Sequence, residues 1–142
     1  MKKLVILIIF SALIFPACKK TTRENPFFTK WDTPFGVPLF EKIELRDFKP
    51  AFIKGMEEED RDIDAIVNNA AEPTFENTIK ALQYTGDLMD KVQSAFGVLN
   101  SANTNDSLQA LSKELSPLLS KHRDNISLNE KLFARVKTVY DK

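Results

Sequence analysis

His122 and Cys18 are the only histidine and the only cysteine in the 142 residues of this chain. A zinc ion needs three or four ligands, commonly imidazole or thiolate, and one of each, far apart, cannot supply them. One cysteine also excludes a disulfide within the chain. His122 falls on the apolar side of a helical pattern, which predicts a partly buried structural role rather than a ligand or a catalyst. Glu57, Glu58, Glu59 and Asp60 form the densest carboxylate run. Calcium loops alternate their oxygens and need a glycine at the turn, whereas this run sits inside a helical pattern and predicts a solvated face. No feature selects two of the acids as a glycosidase pair. The nucleophile elbow GxSxG, the phosphate cradle GxxxxGK(S/T) and the dinucleotide fingerprint GxGxxG are all absent. Lys+Arg and Asp+Glu each count 20, and the basic residues are scattered apart from the aromatic ones, so no nucleic-acid partner is expected.

The chain opens with Met1, Lys2 and Lys3, followed by an apolar run from Leu4 to Phe15 broken only by Ser11. As a helix that run would be about 18 Å long, too short for roughly 30 Å of bilayer hydrocarbon and suited to a signal-peptide core. Pro16, Ala17 and Cys18 follow. A small residue before a cysteine at this place resembles a bacterial lipobox, and the resemblance implies cleavage after residue 17 and lipidation of Cys18. An ordinary signal peptide that happens to contain a cysteine is the alternative. Two or three acyl chains would hold the protein stably on a membrane, at about 0.8 kcal/mol per buried methylene. The expectation is therefore an exported lipoprotein on the periplasmic side of a membrane or at the cell surface. Its segments are a signal peptide (1–17), a lipidated tether (18–25), an extended arm (26–46) and a helical region (47–142).

The arm carries Phe27, Phe28, Trp31 and Phe35 among Pro26, Pro34, Gly36 and Pro38. The prolines and the glycine forbid regular helix. Burying one large aromatic contributes roughly 1.5–3 kcal/mol, so the four are expected to wrap onto the body of a domain or to be held by another chain. Four helices follow, making the fold class all-α. The first starts near Asp47 as N-cap, with Pro50 in the first turn, and presents Phe48, Phe52, Met56, Ile63, Ile66 and Val67 as one stripe. The second is capped by Thr74 and runs through Phe75, Ile79, Leu82, Gly86, Met89, Val92, Phe96 and Leu99 at spacings of four and three, a seam for packing on other helices. Gly86 on that seam predicts close approach of a partner backbone. The third begins near Asp106, carries Leu108, Leu111, Leu115, Leu118, Leu119 and His122, and holds Pro117, which should kink it. The fourth, capped by Asn129, shows Leu132, Phe133, Val136, Val139 and Tyr140. It reaches Lys142 with no capping residue, the pattern of a sequence cut from something longer or of a frayed terminal helix.

Several motifs in order carry a family resemblance. Asn25-Pro26-Phe27-Phe28, Trp31-Asp32-Thr33-Pro34-Phe35-Gly36 and Pro38-Leu39-Phe40 are followed by Phe48-Lys49-Pro50-Ala51-Phe52. Pro73-Thr74-Phe75-Glu76-Asn77-Thr78-Ile79 is the most recognisable, and Leu99–Thr104 and Leu115–Leu119 continue the series. Over residues 25–142 the chain resembles the N-terminal part of the M3 zinc peptidases, the thimet oligopeptidase family, in its bacterial peptidyl-dipeptidase branch. The resemblance implies an antiparallel helical segment of a larger, mostly helical two-lobed peptidase. A channel divides the lobes, and zinc at its floor is held by an HExxH helix and a downstream glutamate. It also implies that oligopeptides, trimmed by C-terminal dipeptides, are substrates of the full-length enzyme only. HExxH places two imidazoles one turn apart with the glutamate as general base, and a chain with one histidine cannot contain it. No catalytic or metal residue is therefore assigned. Pro73, Thr74, Phe75, Glu76, Asn77 and Thr78 are carried over as a structural signature. The partners implied are the rest of the peptidase chain and, through Cys18, a membrane. The rival expectation is a self-contained helical lipoprotein that acts as an interaction or peptide-binding module.

Overall fold

The computed structural model describes residues 23–142, and within them every regular element is helical. Cys18 and the signal and lipobox residues lie outside the described residues. The first long helix, α1, is Leu45–Val67. It starts before the expected Asp47 cap because Glu44 and Asp47 form a capping box. Asp47 accepts the Glu44 N–H at 2.7 Å, satisfying one of the donors that a helix start leaves orphaned. Arg23 grips the same carboxylate at 2.7 and 2.9 Å. Pro50 consequently lies in the second turn rather than the first. The carbonyl it leaves unpaired belongs to Arg46, which is exposed to water.

The expected single second helix is broken. A wide turn of π type at Phe75–Lys80 passes into one α-turn at Ala81–Gln83, together called α2. The chain then bends at Tyr84–Thr85 and restarts as α3, Asp87–Ala102. Gly86 makes the break: its φ of 78° is the left-handed region that side chains avoid. Periodicity carried straight across Gly86 because three- and four-residue spacings survive one irregular turn. The close backbone approach expected at Gly86 occurs instead at Gly55 of α1. A Cβ there would lie 3.2 Å from both Cα and N of Met89. Phe75, expected on the seam, is 60% exposed among the described residues.

Helix α4 is Asp106–Ser127, capped by Asn105, whose side chain accepts the Ser107 and Leu108 N–H groups at 3.0 Å each. It continues through Pro117 without interruption. Helix α5 is Glu130–Tyr140, with the Asn129 side chain accepting from Leu132 N–H at 3.0 Å.

Two apolar cores share α1 as their common wall. In the first, Phe48, Ala51 and Phe52 of α1 meet Met89, Val92 and Ala95 of α3 and Leu111 and Leu115 of α4. In the second, Ile63 and Ile66 at the far end of α1 meet Leu132 of α5, with Leu82 and Ile126 packed alongside. The arm closes the first core. Phe27 is 2% exposed and packs its ring 5.2 Å from Phe48 and 5.8 Å from Trp31. Trp31 follows it part of the way, but Phe28 and Phe35 do not. Phe28 stays at the surface under the Lys54 ammonium, and Phe35 is fully exposed with φ 58°. A cation over the ring compensates part of the cost for Phe28; nothing within the described residues covers Phe35.

The Gly55 contact yields a prediction. Gly55→Val inserts atoms where Met89 backbone already stands and should lower stability by about 1–3 kcal/mol, measured by thermal or urea denaturation. An unchanged melting temperature would mean that α1 and α3 do not cross there.

Candidate functional site

The signature residues condense around Asn77. Its side-chain oxygen accepts from the Thr74 N–H at 2.9 Å, the Thr78 hydroxyl at 2.9 Å and Arg135 at 3.2 Å. Its amide donates to the Glu72 carbonyl at 2.9 Å. Thr74 returns the cap by accepting the Asn77 N–H at 3.2 Å. Pro73 precedes the cap and bars a helix from running back through it. Glu76 and Phe75 point the other way and are exposed. The turn is thus held by polar bonds rather than apolar burial, which explains why so short and wide a helical turn persists.

Arg135 of α5 completes this network. It is 8% exposed and donates to the Asn69 carbonyl at 2.8 Å and to the Ala71 carbonyl at 3.4 Å. It ties the irregular segment after α1 to α5, and so joins three elements through one guanidinium. The sequence held a signal for it: Arg135 stands three residues after Leu132 on the apolar stripe, where an arginine needs buried acceptors. Nearby, Lys142 donates to Glu72 at 2.7 Å and to the Pro73 carbonyl at 3.1 Å. That hydrogen bond, with the lysine charge, holds the Glu72 carboxyl below its ordinary range.

His122 bridges α4 to α1. Its Nε2 lies 2.8 Å from Glu59 Oε2 and its Nδ1 3.2 Å from Asp60 Oδ1. His122 is buried, at 8% exposure, rather than partly buried as expected. The acidic run is not wholly a solvated face, because α1 passes beside α4 at Glu59 and Asp60. The Glu59 carboxylate also abuts Gly86 at the start of α3, with atoms 3.0 Å from where a Cβ would stand. A negative group suits the N-terminal end of a helix. These donors do not fit zinc. The two carboxylates address opposite ring nitrogens, so no point is shared by all three, and no group of three or more His, Cys, Asp or Glu converges among the described residues.

Lys91 of α3 fastens the arm. Its ammonium donates to the carbonyls of Phe27 and Thr29 at 3.0 and 2.7 Å and lies 4.1 Å from the centre of the Trp31 ring. Burial pushes it below the ordinary lysine value, as desolvation without a carboxylate partner must. Between α3 and α4, backed by α1, a cavity of about 600 Å³ opens to the surface with His122, Glu59 and Arg123 among its lining residues. No helix among the described residues is long and apolar enough to cross a membrane.

No family model matches the chain. The dipeptidyl carboxypeptidase of Escherichia coli (strain K12) is 39% identical over 121 residues, covering 85% of this chain and 18% of that protein. The dipeptidyl carboxypeptidase of Salmonella typhimurium is 39% identical over 116 residues, covering 82% of this chain and 17% of that protein. Oligopeptidase A of Escherichia coli is 27% identical over 109 residues, covering 77% and 16%. The chain is thus homologous to peptidases of the M3 family, as its ordered motifs indicate. It spans less than a fifth of the length of the curated relatives it matches.

The polar network makes its own prediction. Asn77→Ala strands three donors and should cost about 2–3 kcal/mol in urea denaturation, whereas Glu76→Ala, at the exposed neighbour, should stay within about 0.5 kcal/mol. Equal effects at the two positions would mean that the network does not hold the turn.

Proposed function

We propose that this chain is the N-terminal helical part of an M3-type peptidase of the dipeptidyl-carboxypeptidase branch. One observation carries the reading: 39% identity held across 85% of the chain, against 18% of the relative. In this reading α1 to α5 supply packing surface and part of the wall of a substrate channel between two helical lobes. The zinc, the HExxH helix and its further glutamate belong to polypeptide outside the matched stretch. Removal of C-terminal dipeptides from oligopeptides is then a property of the whole enzyme.

Taken by itself the chain hydrolyses nothing. Its one imidazole is engaged by two carboxylates and has no second imidazole with which to hold a metal. Cys18, lipidated after removal of residues 1–17, anchors the polypeptide on the periplasmic side of a membrane or at the cell surface. The loss of Lys2 and Lys3 leaves 18 basic against 20 acidic side chains in that mature form. A second reading, a self-contained helical interaction module, draws on the two apolar cores that the described helices already close among themselves. A stop codon after Lys142 followed by unrelated sequence would favour it, and a reading frame that continues would favour the first.

Three measurements test the proposal. The purified chain with added zinc should release no dipeptide from an oligopeptide with a free C-terminus, and the coding DNA beyond Lys142 should continue into an HExxH-bearing segment. Stoichiometric metal with turnover would overturn the reading. Metabolic labelling with palmitate should mark the chain in bacterial cells, and Cys18→Ser should abolish the label; a labelled serine variant would remove Cys18 as the anchor.

A further inference from the structure

Gly97 lies in the middle of α3 with no reason to be glycine inside the described fold. Gly86 meets a left-handed turn and Gly55 meets the Met89 backbone, but a Cβ on Gly97 would find no atom within 4 Å, and its φ is not positive. A glycine in a helix interior weakens that helix relative to alanine. Its usual justification, close passage of another backbone, is one this chain already uses at Gly55.

Gly97 stands on the wall of the open cavity between α3 and α4. The lining is half apolar, with Phe52 of α1, Phe96 of α3 and Leu119 and Ile126 of α4 forming an apolar floor beside the polar Glu59 of α1 and Gln93 of α3. Along α4, Leu119, His122, Arg123 and Ile126 recur at helical spacing and present one face to the cavity, the pattern of a helix with a neighbour on that side. The walls differ in charge, with Asp90 on α3 and Arg123 on α4. One turn of α-helix fills roughly 400 Å³ as a cylinder 10 Å across, so about 600 Å³ admits between one and two turns sunk to part of their depth.

We infer that this groove receives an α-helix from the polypeptide that the relatives possess beyond the matched stretch, crossing α3 at Gly97. The inference rests on the proposed membership of a larger peptidase, in which more than four-fifths of the E. coli relative lies outside the alignment. The incoming helix carries an apolar ridge against Phe96, Leu119 and Ile126. It sets a basic residue toward Asp90 and an acidic one toward Arg123. A small residue on it faces Gly97, as the backbones must nearly touch there. An extended peptide would satisfy the apolar floor but would not explain a missing side chain midway along one wall.

The test sets one substitution in two contexts. In the chain alone Gly97→Leu gains helix propensity in open space and should raise the melting temperature by roughly 2–5 °C. In the E. coli dipeptidyl carboxypeptidase with its matched stretch replaced by that of this chain, the same substitution meets the crossing helix. It should lower the melting temperature and reduce peptide release at least tenfold. A parent chimera that neither folds nor cleaves would remove the proposed membership. A parent that is active and tolerates Gly97→Leu would leave the membership standing and overturn the groove inference. A failure of Gly97→Leu to stabilise the chain alone would also overturn it, since the glycine would then have an internal cause. A short unstructured oligopeptide that displaces the Gly97 amide resonance of the chain would assign the groove to an extended ligand instead.

Discussion

Helix α1 meets α3 where Gly55 lets the Met89 backbone stand 3.2 Å from the position of a Cβ, and both cores are arranged from that crossing. Near it, Phe48 and Phe52 meet the ring of Phe96 edge-on, at 5.1 and 5.6 Å between centroids. Such tilted pairs add to simple burial because ring edges and faces carry opposite partial charge. The crossing leaves the far half of α1 free to carry Ile63 and Ile66 into a second core with α5. A larger residue at position 55 would push α3 outward and loosen the arm, since Lys91 of the same helix holds the arm by its carbonyls. The order of dependence is therefore backbone approach, then aromatic packing, then arm docking.

Polar groups do the joining where apolar stripes run out. Arg135 links the segment after α1 to α2 and α5, and His122 links α4 to the acidic run within α1. Each is buried, at 8% exposure. Charge-assisted hydrogen bonds are directional, so they set register and orientation that non-directional burial leaves loose. This is why the most recognisable stretch of the sequence, Pro73–Thr78, holds only one buried residue, Thr78.

The apolar spacing of the sequence was enough to locate α1, α3, α4 and α5, because three- and four-residue recurrences survive in any helix that buries one face. It failed at Gly86. The recurrence crosses the break in phase, so only a backbone angle distinguishes one helix from two. It failed again in the arm, where four similar aromatics share one composition but only Phe27 and Trp31 pack onto the first core, Phe28 meets the Lys54 ammonium at the surface, and Phe35 meets nothing among the described residues. The acidic run shows a third limit. Glu59 and Asp60 are indistinguishable in sequence from Glu57, yet only they face an imidazole more than sixty residues away. Long-range pairing leaves no local trace. His122 was nevertheless legible as structural, since a lone histidine on an apolar stripe has little else to do.

The separation of scaffold from chemistry in the proposed enzyme follows from what each requires. Hydrolysis at a zinc ion needs several ligands converging on one point with a base beside them, which concentrates its demands in a short stretch of helix. A channel wall needs only rigidity and shape over a long span, which paired helices supply from ordinary residues. In the proposed enzyme a segment given the second task needs a dense set of packing constraints, such as the two cores here, and no convergent ligand set of its own. His122, Glu59 and Asp60 hold α4 to α1. Exposed apolar groups such as Phe35 and Phe75 remain outside both cores. In the proposed enzyme such groups are the natural contacts for further polypeptide.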